Sequence, residues 1–347
     1  MKKFLIRHVG NMGDLVFFVP PILETIKKKY PESHITFVTA WGFKDKYGVW
    51  GKRNQGGFSI SLMMTNPHID TLVHFHDNVT DLNGALCREG GVSFPTWSRQ
   101  YYEKQKSSQS YDAVWELDIG ILQDENPMKH LYDHIGMPEE TNTNYKLYLT
   151  EKDLEVAASV MENFPKPRII LLESIEGRTT RGWDPNKLPL LEKHIEKEYG
   201  HPPIWFGAKF PHDYEGRPLT LRENIATLTY CDVAIGVLSG PLHFAASVGL
   251  PTITLMCDQP LYRAAPSYFL NTYIKDTSKQ HATLVGPTGP VYGFLKEGST
   301  KINLTPEEWR TQEYIDWNNP GRQSTKSCLA VITVDEIMTV LQDIVHT

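Results

Sequence analysis

The feature that most constrains the fold is an alternation of short apolar runs with helical segments, which occurs twice along the 347 residues. Such alternation favours parallel sheets with helices on both faces. The first series begins at residues 4–7, and the second begins at 168–172, just after the Pro-Lys-Pro segment 165–167. The sequence therefore predicts an α/β protein with two Rossmann-like domains facing a cleft, at 1–164 and 165–347.

Individual elements follow from the local pattern. Runs rich in β-branched and aromatic residues predict strands, and longer amphipathic stretches predict helices. The predicted strands are 4–7, 34–39, 71–75, 113–117, 168–172, 203–206, 233–237 and 252–256. The predicted helices are 15–30, 98–106, 128–135, 151–163, 186–199, 221–230, 242–248 and 334–345. Packing of the last helix on the N-terminal domain is left open. Residues 42–66 are predicted to be an irregular insertion, and 276–325 fit no pattern.

Composition narrows the class of protein. A net charge of −6 and a pI near 6.1 argue against a nucleic-acid-binding surface. The four cysteines form no CxxC pair, which argues against a zinc or redox motif and fits the reduced thiols of a cytoplasmic protein. The apolar run after Met1-Lys2-Lys3 is too short for a signal peptide. No run approaches the ~18 apolar residues of a membrane span, so any membrane contact is expected to be peripheral.

The first segment that carries chemistry is the turn after the first strand. Gly10 and Gly13 permit a tight turn with close backbone approach, and Asp14 follows at the start of a helix. This is the carboxyl edge of the sheet, where open α/β folds bind ligands. A carboxylate there can act as a general base, or it can simply cap the helix. A dinucleotide GxGxxG would need glycine at His8, so an oxidoreductase is disfavoured.

The second segment runs from Cys231 through Ala246 and predicts a strand, a short turn and a helix. Pro241 suits the first turn of that helix. Backbone N–H groups near 239–242 would point out of the helix terminus, where phosphate binds readily. The Ser239 hydroxyl can cap the helix or donate to a phosphate oxygen, and His243 can add a donor. An ordinary capped helix with a packed histidine is the alternative.

The third segment, 173–185, follows the first strand of the second series at the same edge. Its two arginines, Arg178 and Arg181, supply fixed positive charge, and a guanidinium can hold a phosphate in a bidentate fork. Ser174 lies in the same loop. A solvated loop is the alternative interpretation of this segment.

Five segments, in order along nearly the whole chain, resemble the motifs of glycosyltransferase family 9. This family contains the heptosyltransferase-type enzymes and has the GT-B fold. The matching segments are 10–20 (strand, GxxGD, helix), 111–120 (YDAVWELDIG), 177–185, 224–247 and 328–337.

The resemblance implies an inverting, metal-independent glycosyltransferase with no cofactor besides its nucleotide-diphosphate sugar. Asp14 would be the general base, Arg181 would contact the donor phosphates, and Ser239, Gly240 and His243 would hold the diphosphate. The full predicted donor-binding set is Gly13, Ser174, Arg178, Arg181, Ser239, Gly240, Pro241 and His243. The sequence independently contains no Asp-x-Asp motif, so no metal site is predicted.

Two departures from the family pattern affect specificity. Leu238 replaces the acid that contacts the sugar in heptosyltransferases, and a leucine accepts no hydrogen bond from a sugar hydroxyl. The segment after strand 203–206, residues 207–211, lacks the acid that often follows there to contact the nucleoside ribose. A catalytically degenerate nucleotide-sugar or sugar-phosphate binding protein is therefore the alternative function. The expected acceptor is a glycan, such as a lipopolysaccharide core, or another hydroxyl compound; basic residues in 42–66 would suit an anionic one.

Overall fold

The fold is known from a computed structural model, which describes residues 1–8, 12–39, 58–73, 94–108, 110–117, 127–138, 146–172, 175, 183–207, 210, 214–237, 239–256, 281–285 and 332–346. Contacts between Cα atoms divide the chain into two compact units. Unit 1 comprises Met1–Leu154 and Leu219–Glu223, and unit 2 comprises Glu155–Pro218 and Asn224–Thr347. The division into domains at 1–164 and 165–347 stays a prediction.

Unit 1 contains a parallel sheet in the order β3-β2-β1-β4. The strands are β1 (Lys3–Arg7), β2 (His34–Val38), β3 (Thr71–Val73) and β4 (Ala113–Glu116). The helices are α1 (Met12–Lys29), α2 (Phe58–Met63), α3 (Phe94–Ser107), α4 (Pro127–His134) and α5 (Glu151–Met161), the last of which continues into unit 2.

Unit 2 contains a second parallel sheet, in the order β6-β5-β7-β8-β9. Its strands are β5 (Ile169–Leu172), β6 (Ile204–Phe206), β7 (Val233–Val237), β8 (Thr252–Met256) and β9 (His281–Val285). Its helices are α6 (Leu188–Tyr199), α7 (Leu221–Thr227, which begins in unit 1), α8 (Gly240–Ser247) and α9 (Val334–Val345). The predicted α/β class with parallel sheets is confirmed.

The core of unit 2 explains why its strands are easy to recognise. Every side chain of β5 and β7 is buried, as expected for central strands covered by helices on both faces. The closing helix α9 lies in this unit and buries Ile337 and Leu341 against the same core. Thr333 and Glu336 form a capping box that fixes where α9 begins.

The structure corrects two sequence predictions. Residues 58–63 form helix α2, although 42–66 was predicted to be irregular throughout. Strand β9 lies inside 276–325, where no element was predicted, because a five-residue His-Ala-Thr-Leu-Val run gives little periodicity. The rest of both segments lies outside the described residues. None of the helices in the described ranges is long and apolar enough to cross a membrane.

Candidate functional site

The strand order of unit 2 reverses between β5 and β7. These two strands are neighbours in the sheet, although β6 lies between them in the sequence, and β6 pairs with the other side of β5. Open parallel sheets bind ligands beyond the carboxyl ends of their strands at such a switch point. The arginine-bearing segment 173–185 follows β5, and Ser239–His243, the N-cap and first turn of α8, follows β7. Both predicted donor segments therefore leave the sheet at the same place.

Gly236 shows how closely the two strands pack at this edge. A Cβ atom added to Gly236 would lie 2.8 Å from Cδ1 and 3.0 Å from Cβ of Leu172, the last residue of β5. Real side chains do not approach so closely, so any larger residue here would require Leu172 to move. The carboxyl ends of β5 and β7 are thus held side by side.

The N-terminus of α8, which follows β7, has few free hydrogen-bond donors of its own. Ser239 is the N-cap residue of α8, and its carbonyl accepts hydrogen bonds from the N–H groups of Leu242 (3.1 Å) and His243 (3.3 Å). Its hydroxyl donates to the Val237 carbonyl at 3.0 Å and does not cap the helix. Pro241 has no N–H. Within α8 itself, the N–H of Gly240, the first helical residue, is therefore the donor of this terminus that has no helical carbonyl to bind.

His243 lies one turn into α8 and is only 6% exposed. Burial lowers the pKa of its imidazole to about 4, because the charged form is poorly solvated inside the protein. The ring is accordingly neutral near pH 7. It can offer a hydrogen-bond donor to a phosphate, but it does not bring a positive charge in the ligand-free protein.

A backbone hydrogen bond links two residues of the arginine-bearing segment 173–185. The N–H of Trp183 donates to the Ile175 carbonyl at 2.9 Å, and both residues are fully buried. This hydrogen bond joins the two residues that flank 176–182. Ser174, Arg178 and Arg181 themselves lie outside the described residues.

In unit 1, the predicted base lies at the corresponding edge of the sheet. Helix α1 begins at Met12, so Gly13 and Asp14 occupy its first turn, directly beyond β1. The backbone of Asp14 is described and its side chain is not. The strand order of this sheet also reverses beside β1, which pairs with β2 on one side and β4 on the other.

An ion pair at this edge was missed by sequence reasoning. Arg7 and Glu116 are register partners at the ends of β1 and β4, and their side chains form an ion pair. Arg7 is only 4% exposed. The sequence signal that could have predicted this pair is the presence of opposite charges, Arg7 and Glu116, at the ends of two otherwise apolar strands. Among the described residues, no group of three or more His, Cys, Asp or Glu side chains could hold a metal ion.

One curated protein gives a sequence comparison. The chain is 29% identical over 153 residues to lipopolysaccharide heptosyltransferase 1 of Campylobacter coli. The match covers 44% of this chain and only 38% of that protein, so the chain spans about two fifths of its curated relative. No family model matches the chain.

Solved structures are similar over nearly the whole chain. The glycosyl transferase family 9 protein of Veillonella parvula DSM 2008 has a TM-score of 0.60 at 13% identity, covering 99% of this chain and 97% of that one. E. coli heptosyltransferase WaaC with ADP has a TM-score of 0.52 at 11% identity, covering 98% and 97%. The iron-containing dodecameric glycosyltransferase TibC of E. coli H10407 has a TM-score of 0.51 at 13% identity, covering 100% and 79%.

The two parallel sheets and these structural likenesses define the class: the chain is an α/β protein with the GT-B fold. The sequence similarity to the Campylobacter heptosyltransferase agrees with the resemblance to glycosyltransferase family 9 that the five motifs indicated, and the Veillonella structure has the same fold.

Proposed function

We propose that this protein is an inverting, metal-independent glycosyltransferase that moves a sugar from a nucleotide-diphosphate sugar to a glycan or other hydroxyl acceptor. The observation that carries the proposal is the shared switch point of β5 and β7, from which both predicted donor segments leave the sheet. The Campylobacter relative is a lipopolysaccharide heptosyltransferase, and the WaaC structure contains ADP. These support an ADP-sugar donor and a lipopolysaccharide-type acceptor.

In this proposal, the donor diphosphate lies beyond β5 and β7. Arg178 and Arg181 supply its positive counter-charge, and the N–H of Gly240 at the start of α8 donates to a phosphate oxygen. His243 acts as a neutral donor because of its lowered pKa. Ser239 would exchange its bond to the Val237 carbonyl for a phosphate oxygen. Ser174, Pro241 and Gly13 are the remaining residues of the predicted donor set.

The chemical step is assigned to Asp14 in the first turn of α1. Its carboxylate takes the proton of the acceptor hydroxyl, and the acceptor oxygen attacks the anomeric carbon on the face opposite the diphosphate. The bond from that carbon to the phosphate oxygen breaks, and its electron pair leaves on the diphosphate. One displacement of this kind inverts the anomeric configuration.

Metal independence is part of the same proposal. The two arginines and the N–H of Gly240 would stabilise the charge that develops on the leaving diphosphate, a task that other enzymes give to Mg²⁺. TibC, which has a similar fold, contains iron, so this point calls for a direct test. Transfer should persist unchanged after dialysis against EDTA, and added Mg²⁺ or Fe²⁺ should not raise it.

The proposal also covers the location of the protein in the cell and its contact with membranes. We infer a cytoplasmic protein with no more than peripheral membrane contact, acting in lipopolysaccharide biosynthesis. The Campylobacter relative supports this role, and none of the described helices would span a membrane. The alternative, a catalytically degenerate binding protein of the same fold, is favoured by Leu238, which stands where heptosyltransferases have an acid.

The experiment that separates these functions is substitution of the base. Asp14→Asn should lower transfer by about 10²-fold or more, because general-base catalysis contributes that much. The dissociation constant of the donor, measured by calorimetry, should change less than about twofold, since uncharged asparagine leaves the phosphate contacts in place. Glu24→Gln, which changes another carboxylate of α1, should keep full activity.

Retained turnover in Asp14→Asn would contradict the role of Asp14. Tight donor binding by the wild-type protein, with neither transfer nor donor hydrolysis against any glycan acceptor, would establish the binding-protein alternative instead.

A further inference from the structure

Four exposed lysines lie at the end of unit 1 where α1 ends and β1 begins. They are Lys2, Lys3, Lys28 and Lys29. Tyr30, the residue that follows α1, lies among them and is half-buried. We call these four lysines and Tyr30 the Tyr30 surface. Because the whole chain has a net charge of −6, this surface is a local concentration of positive charge on an acidic protein.

The ring of Tyr30 lies close to two of the ammonium groups. Nζ of Lys2 is 4.4 Å from the ring centroid and Nζ of Lys29 is 5.6 Å from it, both within the range of a cation–π interaction. The ring itself packs on Phe4, with 5.3 Å between the centroids. Among the described residues, no carboxylate forms an ion pair with Lys2 or Lys29. Because like charges beside one ring repel each other, an external anion would stabilise this arrangement.

The neighbouring lysines of α1 have partners within unit 1. Nζ of Lys27 donates to Oδ2 of Asp70 at 2.7 Å. Lys28 pairs with Glu24 at 3.1 Å, although its side chain remains 47% exposed. Lysines in the last turn of a helix also oppose the negative end of the helix dipole. That effect does not explain Lys2, which lies outside the helix and adds its charge to those at the end of α1.

The residue types of the Tyr30 surface indicate the kind of anion that it fits. All of its cations are lysines, whose flexible ammonium groups act as point charges, whereas arginine supplies the bidentate fork that suits one defined phosphate. Clusters of about four or more basic residues attract the anionic lipids of a membrane surface. Tyrosine suits an interface that is apolar on one side and wet on the other. The exposed side chain of Met1, next to Lys2, adds apolar area.

The Tyr30 surface lies at the opposite end of α1 from Gly13 and Asp14. The helix has 18 residues, so its ends are about 27 Å apart. The surface also lies at the amino edge of the sheet, because β1 begins at Lys3, whereas open parallel sheets bind ligands at the carboxyl edge. A membrane on the Tyr30 surface would therefore leave the carboxyl edge of unit 1 open to ligands.

We propose that the Tyr30 surface docks unit 1 on a membrane surface that contains anionic lipids. The inference rests on the proposed function for one point: the acceptor would be a lipid-linked glycan that extends from the membrane toward the first turn of α1. The docking itself is electrostatic and requires neither the donor nor Asp14. A few lysines give weak, reversible binding that salt screens.

Co-sedimentation with phospholipid vesicles tests the docking on the full-length chain, without donor or acceptor. The wild-type protein should bind vesicles of phosphatidylcholine that contain phosphatidylglycerol, and it should not bind vesicles of phosphatidylcholine alone. Raising the salt concentration to about 0.5 M should release it, because the screening length becomes shorter than the contact region. Equal binding to both kinds of vesicle would overturn the proposal.

A double variant, Lys2→Gln with Lys29→Gln, tests the two lysines beside Tyr30. Each basic residue near an anionic surface strengthens binding about fivefold, so the double variant should bind about 25-fold more weakly. The control is Lys193→Gln with Lys197→Gln, two exposed positions of α6 in unit 2 that give the same change in net charge. It should bind as the wild type does. Similar losses in both double variants would overturn the proposal, because overall charge would then determine binding.

Glu32→Gln tests the same surface by a gain of binding. Glu32 is exposed in the turn that follows Tyr30, so its removal makes the surface more positive. The variant should bind the anionic vesicles more tightly than the wild type, and urea denaturation should show that all of these variants remain folded. Unchanged or weaker binding by folded Glu32→Gln would contradict the placing of the membrane at this turn.

Two further arms separate lipid from other anions. Inorganic phosphate added at constant ionic strength should not displace the protein from the vesicles, and displacement would overturn the proposal in favour of a discrete phosphate site. Binding of RNA without binding of vesicles would overturn it in favour of nucleic acid. The Lys2→Gln, Lys29→Gln variant should keep wild-type transfer to a soluble acceptor. Absence of transfer in the wild-type protein would contradict the proposed function, whatever the vesicle experiment shows.

Discussion

His243 illustrates at the residue scale how burial changes what a side chain contributes. In the unfolded chain its imidazole titrates near pH 6.5, whereas in the folded protein its pKa is lowered to about 4 by burial. The unfolded state therefore takes up a proton first as the pH falls. The folded state loses stability between about pH 6.5 and pH 4, and this part of the loss is absent at neutral pH.

The prediction is that His243→Leu removes this pH dependence. Between pH 7 and pH 4 the wild-type protein should lose about 3 kcal/mol more unfolding free energy than the variant. Urea denaturation at the two pH values measures the difference. His194→Leu, a change on the exposed side of α6, should keep the wild-type dependence. Equal losses in the wild-type protein and His243→Leu would show that the imidazole titrates normally in the fold.

Arg222 is a second residue whose environment fixes its role. Its guanidinium donates to Oδ2 of Asp153 through Nε (3.0 Å) and Nη2 (2.7 Å), and to the carbonyls of Ser61 (2.7 Å) and Tyr148 (2.9 Å). The hydroxyl of Thr65 accepts a further bond at 2.8 Å. The pair is largely buried, with side-chain exposures of 9% and 12%. Hydrogen bonds from Arg222 and Thr150 keep the pKa of Asp153 below its ordinary value despite its partial burial.

We expect Arg222→Met to destabilise the fold by about 3 kcal/mol, because it removes the guanidinium that pairs with the largely buried carboxylate of Asp153 and donates to the Ser61 and Tyr148 carbonyls. Chemical denaturation measures this cost. The matched control is Lys129→Met, which breaks the Lys129–Asp133 pair, whose side chains are 60% and 62% exposed. That change should cost less than about 1 kcal/mol. Similar costs for both variants would contradict this account of Arg222.

At the scale of elements, the pairing of β5 with β7 holds the proposed donor site together. Gly236→Ala would place a methyl group 2.8 Å from Cδ1 of Leu172. Overpacking of this kind costs about 1 to 3 kcal/mol. We predict that loss in thermal or urea unfolding, because the side chain of Leu172 must move to make room for the methyl group.

The same contact supplies an internal control for that prediction. Leu172→Ala removes the clashing Cδ1 atom, so Gly236→Ala should cost less in that background than in the wild type. Strict additivity of the two changes would mean that the contact with Leu172 does not determine the effect.

The elements also show what the sequence could and could not predict. Central strands such as β5 and β7 were predicted because burial on both faces makes them continuous apolar runs. Strand β9 was missed because it is short and lacks such a run, and α2 was missed within a Gly-rich stretch. The local sequence pattern predicted where the Ser239–His243 segment lies, between a strand and a helix. It did not give the bond of the Ser239 hydroxyl to Val237 or the burial of His243, because both depend on how α8 packs.

At the scale of the whole molecule, the α/β class with parallel sheets was predicted from the alternation of strand and helix patterns. What the sequence could not predict were long-range contacts, such as the Arg7–Glu116 pair and the bond from the indole N–H of Trp183 to the Ile332 carbonyl, whose partners lie far apart in the chain. Sequence patterns report local periodicity, whereas these contacts exist only once the sheets have formed. The roles of Asp14, Arg178 and Arg181 are proposals that ligand binding and turnover must decide.

The most direct measurement of the central claim is a thermal-shift panel of nucleoside diphosphates, sugar nucleotides and NAD, run on the wild-type protein and on Arg181→Ala. A ligand present at 100 times its dissociation constant stabilises the folded state by about 2.7 kcal/mol. We expect at least one nucleoside diphosphate, with its sugar nucleotide, to raise the wild-type Tm by several degrees, and Arg181→Ala to lose most of that shift at the same concentration. A panel in which no nucleoside diphosphate or sugar nucleotide raises the Tm, or in which only NAD does, would contradict the assignment of a nucleotide-sugar site to this protein.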